Sequence, residues 1–283
     1  MLLRMRLIFL ICFFLSACST LPESPLLNRS PNALTARVDA LLPADVLILG
    51  EQHNAPEHQA IAQQVIEYLA VRGLLGAVVI EMADANRDTS ELTSKAEQED
   101  ISFALRWKDR TWPWRAYGPV VITAVRSGAV VSGGNLLAAR IRNLHVDAEI
   151  EKKLSPAALR TQQQLIRSSH CDLIPESQIP SMSRIQIARD MSMAQMIEKT
   201  RVPGKVTVLL TGSVHADRLM GVPLHLPPQL RVKSVHLKAG EHAEYEQESF
   251  DLIWPTSQLE TVDYCPQIQK RFQEKLAAVS EIK

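Results

Sequence analysis

Two short segments of this chain share one form. Gly50-Glu51-Gln52-His53 and Gly212-Ser213-Val214-His215 each place a glycine directly after an apolar run and an imidazole three residues later. Glu81 follows a third apolar run, and Gly133-Gly134-Asn135 follows a fourth. In parallel α/β sheets ligands bind beyond the carboxyl ends of the strands, so these four segments should meet on one rim. The glycine lets the backbone leave the sheet sharply while the histidine returns to the mouth. Two imidazoles and two carboxylates in one cleft have two chemical uses. They can hold a divalent metal, with Glu51, His53 and His215 as ligands. They can also act as a base with its orienting partner, with Glu51, His53, Glu81 and His215 as the catalytic set. Either use needs imidazoles fixed by neighbouring carboxylates or carbonyls. A plainer alternative is that each is a satisfied polar group at a strand end. His58 reads as a first-turn surface histidine, and His145, His225, His236 and His242 have no comparable context.

The elements that must carry these residues follow from hydrophobic patterning. Short, β-branched runs at 46–49, 77–80, 129–132, 206–210 and 232–237 read as buried parallel strands. Ile61, Val65 and Leu69 repeat at helical spacing between Pro56 and Gly73, with Asn54 as a candidate cap. Strand and helix alternate, which predicts an α/β domain with a mainly parallel sheet flanked by helices. Residues 147–199 break the rhythm with two helical patterns around "CDLIPESQIP". They read as a smaller helical insertion over one sheet edge, with the α/β domain formed by 32–146 and 200–283.

The amino terminus, "MLLRMRLIFLICFFLSACST", has two arginines, a short apolar core and small residues, the pattern of a secretory signal peptide over 1–17. Its apolar stretch falls short of the roughly 20 residues that span a bilayer. Leu15-Ser16-Ala17-Cys18 resembles a bacterial lipobox, which implies lipid attachment at Cys18 and, with Ser19 next, the outer membrane. Residues 18–31, rich in Ser, Pro and Asn, then form a tether. Of the remaining cysteines, Cys171 and Cys265 can pair in an oxidising periplasm or stay apart. The 31 basic and 31 acidic residues balance, so nothing electrostatic points to nucleic acid.

"RWKDRTWPWRAYGPV", from Arg106, holds three of the four tryptophans with Tyr117. A cluster this dense packs a core or walls a flat apolar ligand. "MSRIQIARDMSMAQMIEK", from Met182, places four methionines with Arg189 and Asp190 on a helix, and a methionine-rich face adapts to bulky ligands or simply packs.

"LILGEQHNAPEHQ", "VVIEM", "TWPWRAYGPV", "GGN", "HC", "QIARDMSMA" and "TGSVHADRLMGVPLHL" occur in the order seen in the ChaN-like family of haem-binding lipoproteins. The chain resembles that family from Asp45 to Leu226, within a wider group that includes erythromycin esterases and TIKI proteases. The resemblance implies one large α/β domain with a smaller helical one. It implies haem binding at the outer membrane in iron acquisition, with two haems shared across a homodimer and a haem receptor as partner. Carried over, Glu51, His53, Glu81 and His215 form the shared cleft, supported by Asn135, Asp190 and Arg218. The hydrolytic members imply the alternative of a metal-dependent periplasmic hydrolase. A tyrosinate is the iron ligand associated with the family, and the tyrosines here are Tyr68, Tyr117, Tyr245 and Tyr264. Tyr117, His170, Met182 and Arg189 are the candidate haem contacts.

Overall fold

The computed structural model describes residues 31–280, apart from 145–146, 241–246 and 261. The segments read as a signal peptide and, up to residue 30, a tether, the expected lipidation site Cys18, and His145, His242 and Tyr245 lie outside the described residues.

Six strands form one sheet: β1 (Val46–Glu51), β2 (Leu75–Asp84), β3 (Val130–Asn135), β4 (Val206–Gly212), β5 (Val232–Ala239) and β6 (Leu252–Thr256). Their order is β3-β2-β4-β1-β5-β6, and every pairing is parallel. The α/β expectation therefore holds, with β4 inserted between β1 and β2. β6 is an addition to the predicted strands. Its Pro255 cannot donate to a ladder, and it is tolerated because β6 sits at the sheet edge with β5 as its neighbour.

Helices cover both faces: α1 (Pro31–Asp39), α2 (Pro56–Val71), α3 (Gln98–Ala104), α4 (Trp114–Arg126), α5 (Ala138–Leu144), α6 (Pro156–Ser169), α7 (Ile179–Thr200), α8 (Ser213–Ala216) and α9 (Cys265–Ser280). Side chains alternate along each strand, so odd and even positions build separate cores. Leu47 and Leu49 of β1 join Val78, Ile80, Val208 and Leu210 against α2 and α4. Val46 and Ile48 join Val79 and Leu209 against Met193, Ala194 and Ile197 of α7. α7 is thus the helix that crosses from β3 to β4, packing on a sheet face over the edge strand β3 and its neighbours β2 and β4. The apolar spacing at 193, 194 and 197 supplies its sheet-facing stripe, while α6 packs against its first half, where Ser183 donates to Gln162 and Ile187 meets Ala158.

Two local expectations also change. α2 is capped by Ala55 with no side-chain bond, Pro56 opening the first turn, and Asn54 instead donates to the Tyr264 hydroxyl at 3.3 Å. His58 is fully buried rather than on the surface. Its Nδ1 accepts the Gln52 backbone N–H at 2.9 Å, which leaves the proton on Nε2 to be donated to Thr256 Oγ1 at 2.8 Å. Burial holds its pKa down to about 4, so the imidazole is neutral. Cys171, after α6, and Cys265, at the start of α9, are joined by a disulfide.

Candidate functional site

The parallel register sets Glu51 beside Gly212, so the two Gly-x-x-His segments leave the sheet side by side. Both glycines are required for space rather than for a left-handed backbone. A Cβ on Gly50 would lie 2.6 Å from the Ala216 Cβ, and one on Gly212 would lie 3.0 Å from His53 Nε2. Gly212 itself has φ −63°.

A chain of polar side chains runs across the end of the sheet from the α4 face to the α7 face. It begins with Tyr117 of α4, whose hydroxyl donates to Glu51 Oε1 at 2.6 Å. His53 Nδ1 reaches the same oxygen at 2.8 Å, and Gln59 Nε2 donates to Oε2 at 2.8 Å. His53 Nε2 then faces Glu81 Oε2 at 3.9 Å. Glu81 accepts the Thr211 hydroxyl and the Gly212 N–H, both at 2.8 Å on Oε2, and its Oε1 lies 3.7 Å from His215 Nε2. The chain ends where His215 Nδ1 meets Asp190 Oδ1 at 2.6 Å.

Electrostatics follow from burial and from these partners. Burial alone would push the Glu81 carboxyl up, but the two imidazoles, with the donors at Thr211 and Gly212, hold it down at about 2. His215 is pushed down by burial and up by Asp190 and Glu81, which prevail and raise it to about 9. Burial raises Asp190 to about 6 against the opposing pull of His215. For His53 burial again acts downward, and the bond to Glu51 with the charge of Glu81 leaves it raised. Burial, followed by the Glu51 charge, drives the Tyr117 phenol up, so it stays protonated.

The chain borders a cavity of ≈ 680 Å³ lined by Glu51, His53, Glu81 and His215 on its polar side. Trp112, Leu165, Ile166 and Val214 supply an apolar wall, and Arg189 also borders the space. Trp112 sets its ring edge against His53 at 4.8 Å between centroids. Within the tryptophan cluster, Trp107 and Trp114 meet edge to face and pack with Trp112 against the core, and Trp112 also borders the cleft.

The strand-end residues Glu51, His53, Glu81 and His215 are therefore brought together, and Asp190 joins them from α7. Asn135 and Arg218 do not line the cavity. Asn135 ends β3, where its carbonyl accepts the Ala85 N–H, and Arg218 pairs with Asp251 at 3.3 Å. Met182 is half-buried near the start of α7, outside the lining. Tyr117 is buried with its hydroxyl committed to Glu51, so it orients a carboxylate and presents no free axial oxygen. Tyr68 is committed elsewhere, its hydroxyl donating to Asp39 at 2.9 Å. The divalent metal centre drawn from Glu51, His53 and His215 is not supported. Both Glu51 oxygens are occupied by protein donors, and among the described residues no group of three His, Cys, Asp or Glu side chains forms a metal-ligand set. Gln59 and Thr211 were missed from sequence; their i+8 and i−1 offsets from Glu51 and Gly212 were the available signal.

A family model described as haem-binding uptake, Tiki superfamily, ChaN matches residues 37–226, a span that contains every residue lining the cleft. The chain belongs to that family. Among solved structures, the one titled "Cofacial heme binding to ChaN of Campylobacter jejuni" is 24% identical and covers 77% of this chain and 89% of that one. Its TM-score is 0.63, a likeness of fold. The type III effector HopBA1 is 14% identical over 84% of this chain and 97% of its own, with a TM-score of 0.49. No curated protein matches the chain.

Proposed function

We propose that this protein binds haem in the cleft at the carboxyl end of its sheet and serves haem or iron acquisition in the bacterial envelope. The family match over 37–226 carries the reading. The lining suits such a cargo, since it combines aromatic and aliphatic side chains with polar anchors. His170 is the iron ligand this reading favours. Its Nδ1 donates to the Ile166 carbonyl at 2.8 Å, which leaves the Nε2 lone pair for a metal, and it follows the wall residues Ser168 and Ser169. The half-exposed Tyr264, beside Cys265, is the competing oxygen ligand. The same reading places the protein at the outer membrane through a lipid on Cys18, with two haems per homodimer and a haem receptor as partner.

The hydrolytic alternative is the weaker one on chemical grounds. A His215 held at about 9 is an imidazolium at neutral pH, a donor rather than a base. Titration of the mature protein with hemin tests the proposal. A saturable Soret shift at micromolar protein supports it, and weakening by His170→Ala but not Tyr264→Phe supports the ligand. Absence of any saturable shift rejects haem binding.

A further inference from the structure

The cleft is rich in carboxylates, yet donors of the surrounding wall take up most of their oxygens. Glu51 receives Tyr117 and His53 on one oxygen and Gln59 on the other. Glu81 receives Thr211 and Gly212, and Asp190 receives His215. These bonds occupy both oxygens of Glu51, Oε2 of Glu81 and Oδ1 of Asp190. His53, His215 and Arg189 border the open space beside Glu51 and Glu81, and the Nε2 atoms of the two imidazoles lie 3.9 and 3.7 Å from Glu81, beyond hydrogen-bond length.

Arg189 is the group that this network does not use. It precedes Asp190 on α7 and borders the cavity, and its Nε is shielded from water with no hydrogen-bond partner. A guanidinium cannot shed its proton, so a buried N–H of this kind needs an acceptor from elsewhere. Its position is fixed, because Met193, Ala194 and Ile197 lock the next turns of α7 into the core. Trp112, Leu165, Ile166 and Val214 contribute apolar surface to the same lining.

We propose that the cleft selects an amphiphile with a carboxylate or similar oxyanion at one end, its head on the Arg189 guanidinium and its apolar body along Trp112, Leu165, Ile166 and Val214. The inference deepens the haem reading and rests on it, since a haem carries two carboxylates on a flat apolar body. Arg189 then acts as the specificity-determining contact, gripping the anion through paired N–H donors, and the raised imidazole of His215 adds a second positive neighbour.

The test compares charged and uncharged partners of one shape on the full mature chain. Protoporphyrin IX is set against its dimethyl ester, and 8-anilinonaphthalene-1-sulfonate against uncharged N-phenyl-1-naphthylamine, both followed by fluorescence. Arg189→Met is expected to weaken the anionic member of each pair about 10- to 100-fold, the worth of a charged hydrogen bond. The uncharged members should change less than about threefold, and Arg189→Lys should recover part of the loss. A merely structural role for Arg189 would weaken both members alike, and that outcome, or no weakening of either, overturns the proposal. Arg189→Gln, read the same way, replaces Arg189→Met if the latter fails to fold. If hemin does not bind while the naphthalene pair still shows the charge preference, the haem reading fails and the anchor stands. If hemin binds and neither pair shows the preference, the anchor fails alone.

Discussion

Replacing Asp190 with asparagine should change how stability depends on pH more than it changes stability itself. His215 is raised from 6.5 to about 9. At about 1.4 kcal/mol per unit, that difference corresponds to about 3 kcal/mol of folding free energy. The imidazole is only 8% exposed, so solvent screening removes little of it. Because the folded value lies above the unfolded one, this contribution is complete below about pH 6.5 and is lost as pH rises through about 9. Asparagine keeps an oxygen for the Nδ1–H but no charge, leaving burial opposed by Glu81 alone. The His215 pKa should then fall by about 1 unit or more. At pH 7 the net change in stability is expected to be small, because Asp190, raised to about 6 by its burial, already costs free energy to ionise. Urea unfolding at intervals from pH 6 to 10, with NMR titration of the imidazole, measures both quantities. The wild-type decline attributable to His215 should be about 3 kcal/mol, and that of Asp190→Asn smaller by at least about 1.4 kcal/mol. An unchanged decline, with an imidazole still titrating near 9, would refute the assignment of Asp190 as the group that holds it.

Three further outcomes follow from the same geometry. Tyr117→Phe removes the 2.6 Å donor from buried Glu51 and should cost about 1–3 kcal/mol in urea unfolding, with the hemin spectrum unchanged. Loss of the Soret band in that variant would make Tyr117 the iron ligand after all. In Gly212→Ala, the new Cβ meets His53 Nε2 at 3.0 Å. The displaced imidazole should lower hemin affinity by about tenfold, or about 1.4 kcal/mol, and full affinity would show that His53 does not face the ligand. Cys171→Ser combined with Cys265→Ser opens a cross-link between positions 94 residues apart and should cost about 2–4 kcal/mol, read as a lower urea midpoint. An unshifted midpoint would mean that the bond does not form in solution.

What the sequence revealed depended on whether a residue's environment leaves a local trace. The strands at 46, 77, 129, 206 and 232 were visible because strands buried on both faces read as unbroken apolar runs. Their carboxyl ends then brought Glu51, His53, Glu81 and His215 together by topology alone. β6 left no such trace, because Pro255 and the half-exposed Leu252 and Ile253 look like loop. The double duty of α7 was hidden because its first half faces α6 and the cleft while its second half lies on the sheet, so no single amphipathic stripe runs its length. His58 was misplaced for a related reason, since its partners at positions 52 and 256 come from the cleft loop and the far edge strand. Spacing along a helix carries no information about contacts with another element 198 residues away.

The buried imidazole of His58 has an evolutionary corollary. It needs a backbone donor on one nitrogen and a hydroxyl acceptor on the other, and it receives them from Gln52 and Thr256. A relative that loses the hydroxyl at 256 strands a buried N–H, and one that loses the histidine strands the Gln52 amide. Positions 58 and 256 should therefore be inherited or replaced as a pair in homologous chains. That covariation would record, at the sheet's far edge, the loop conformation that delivers His53 to the cleft.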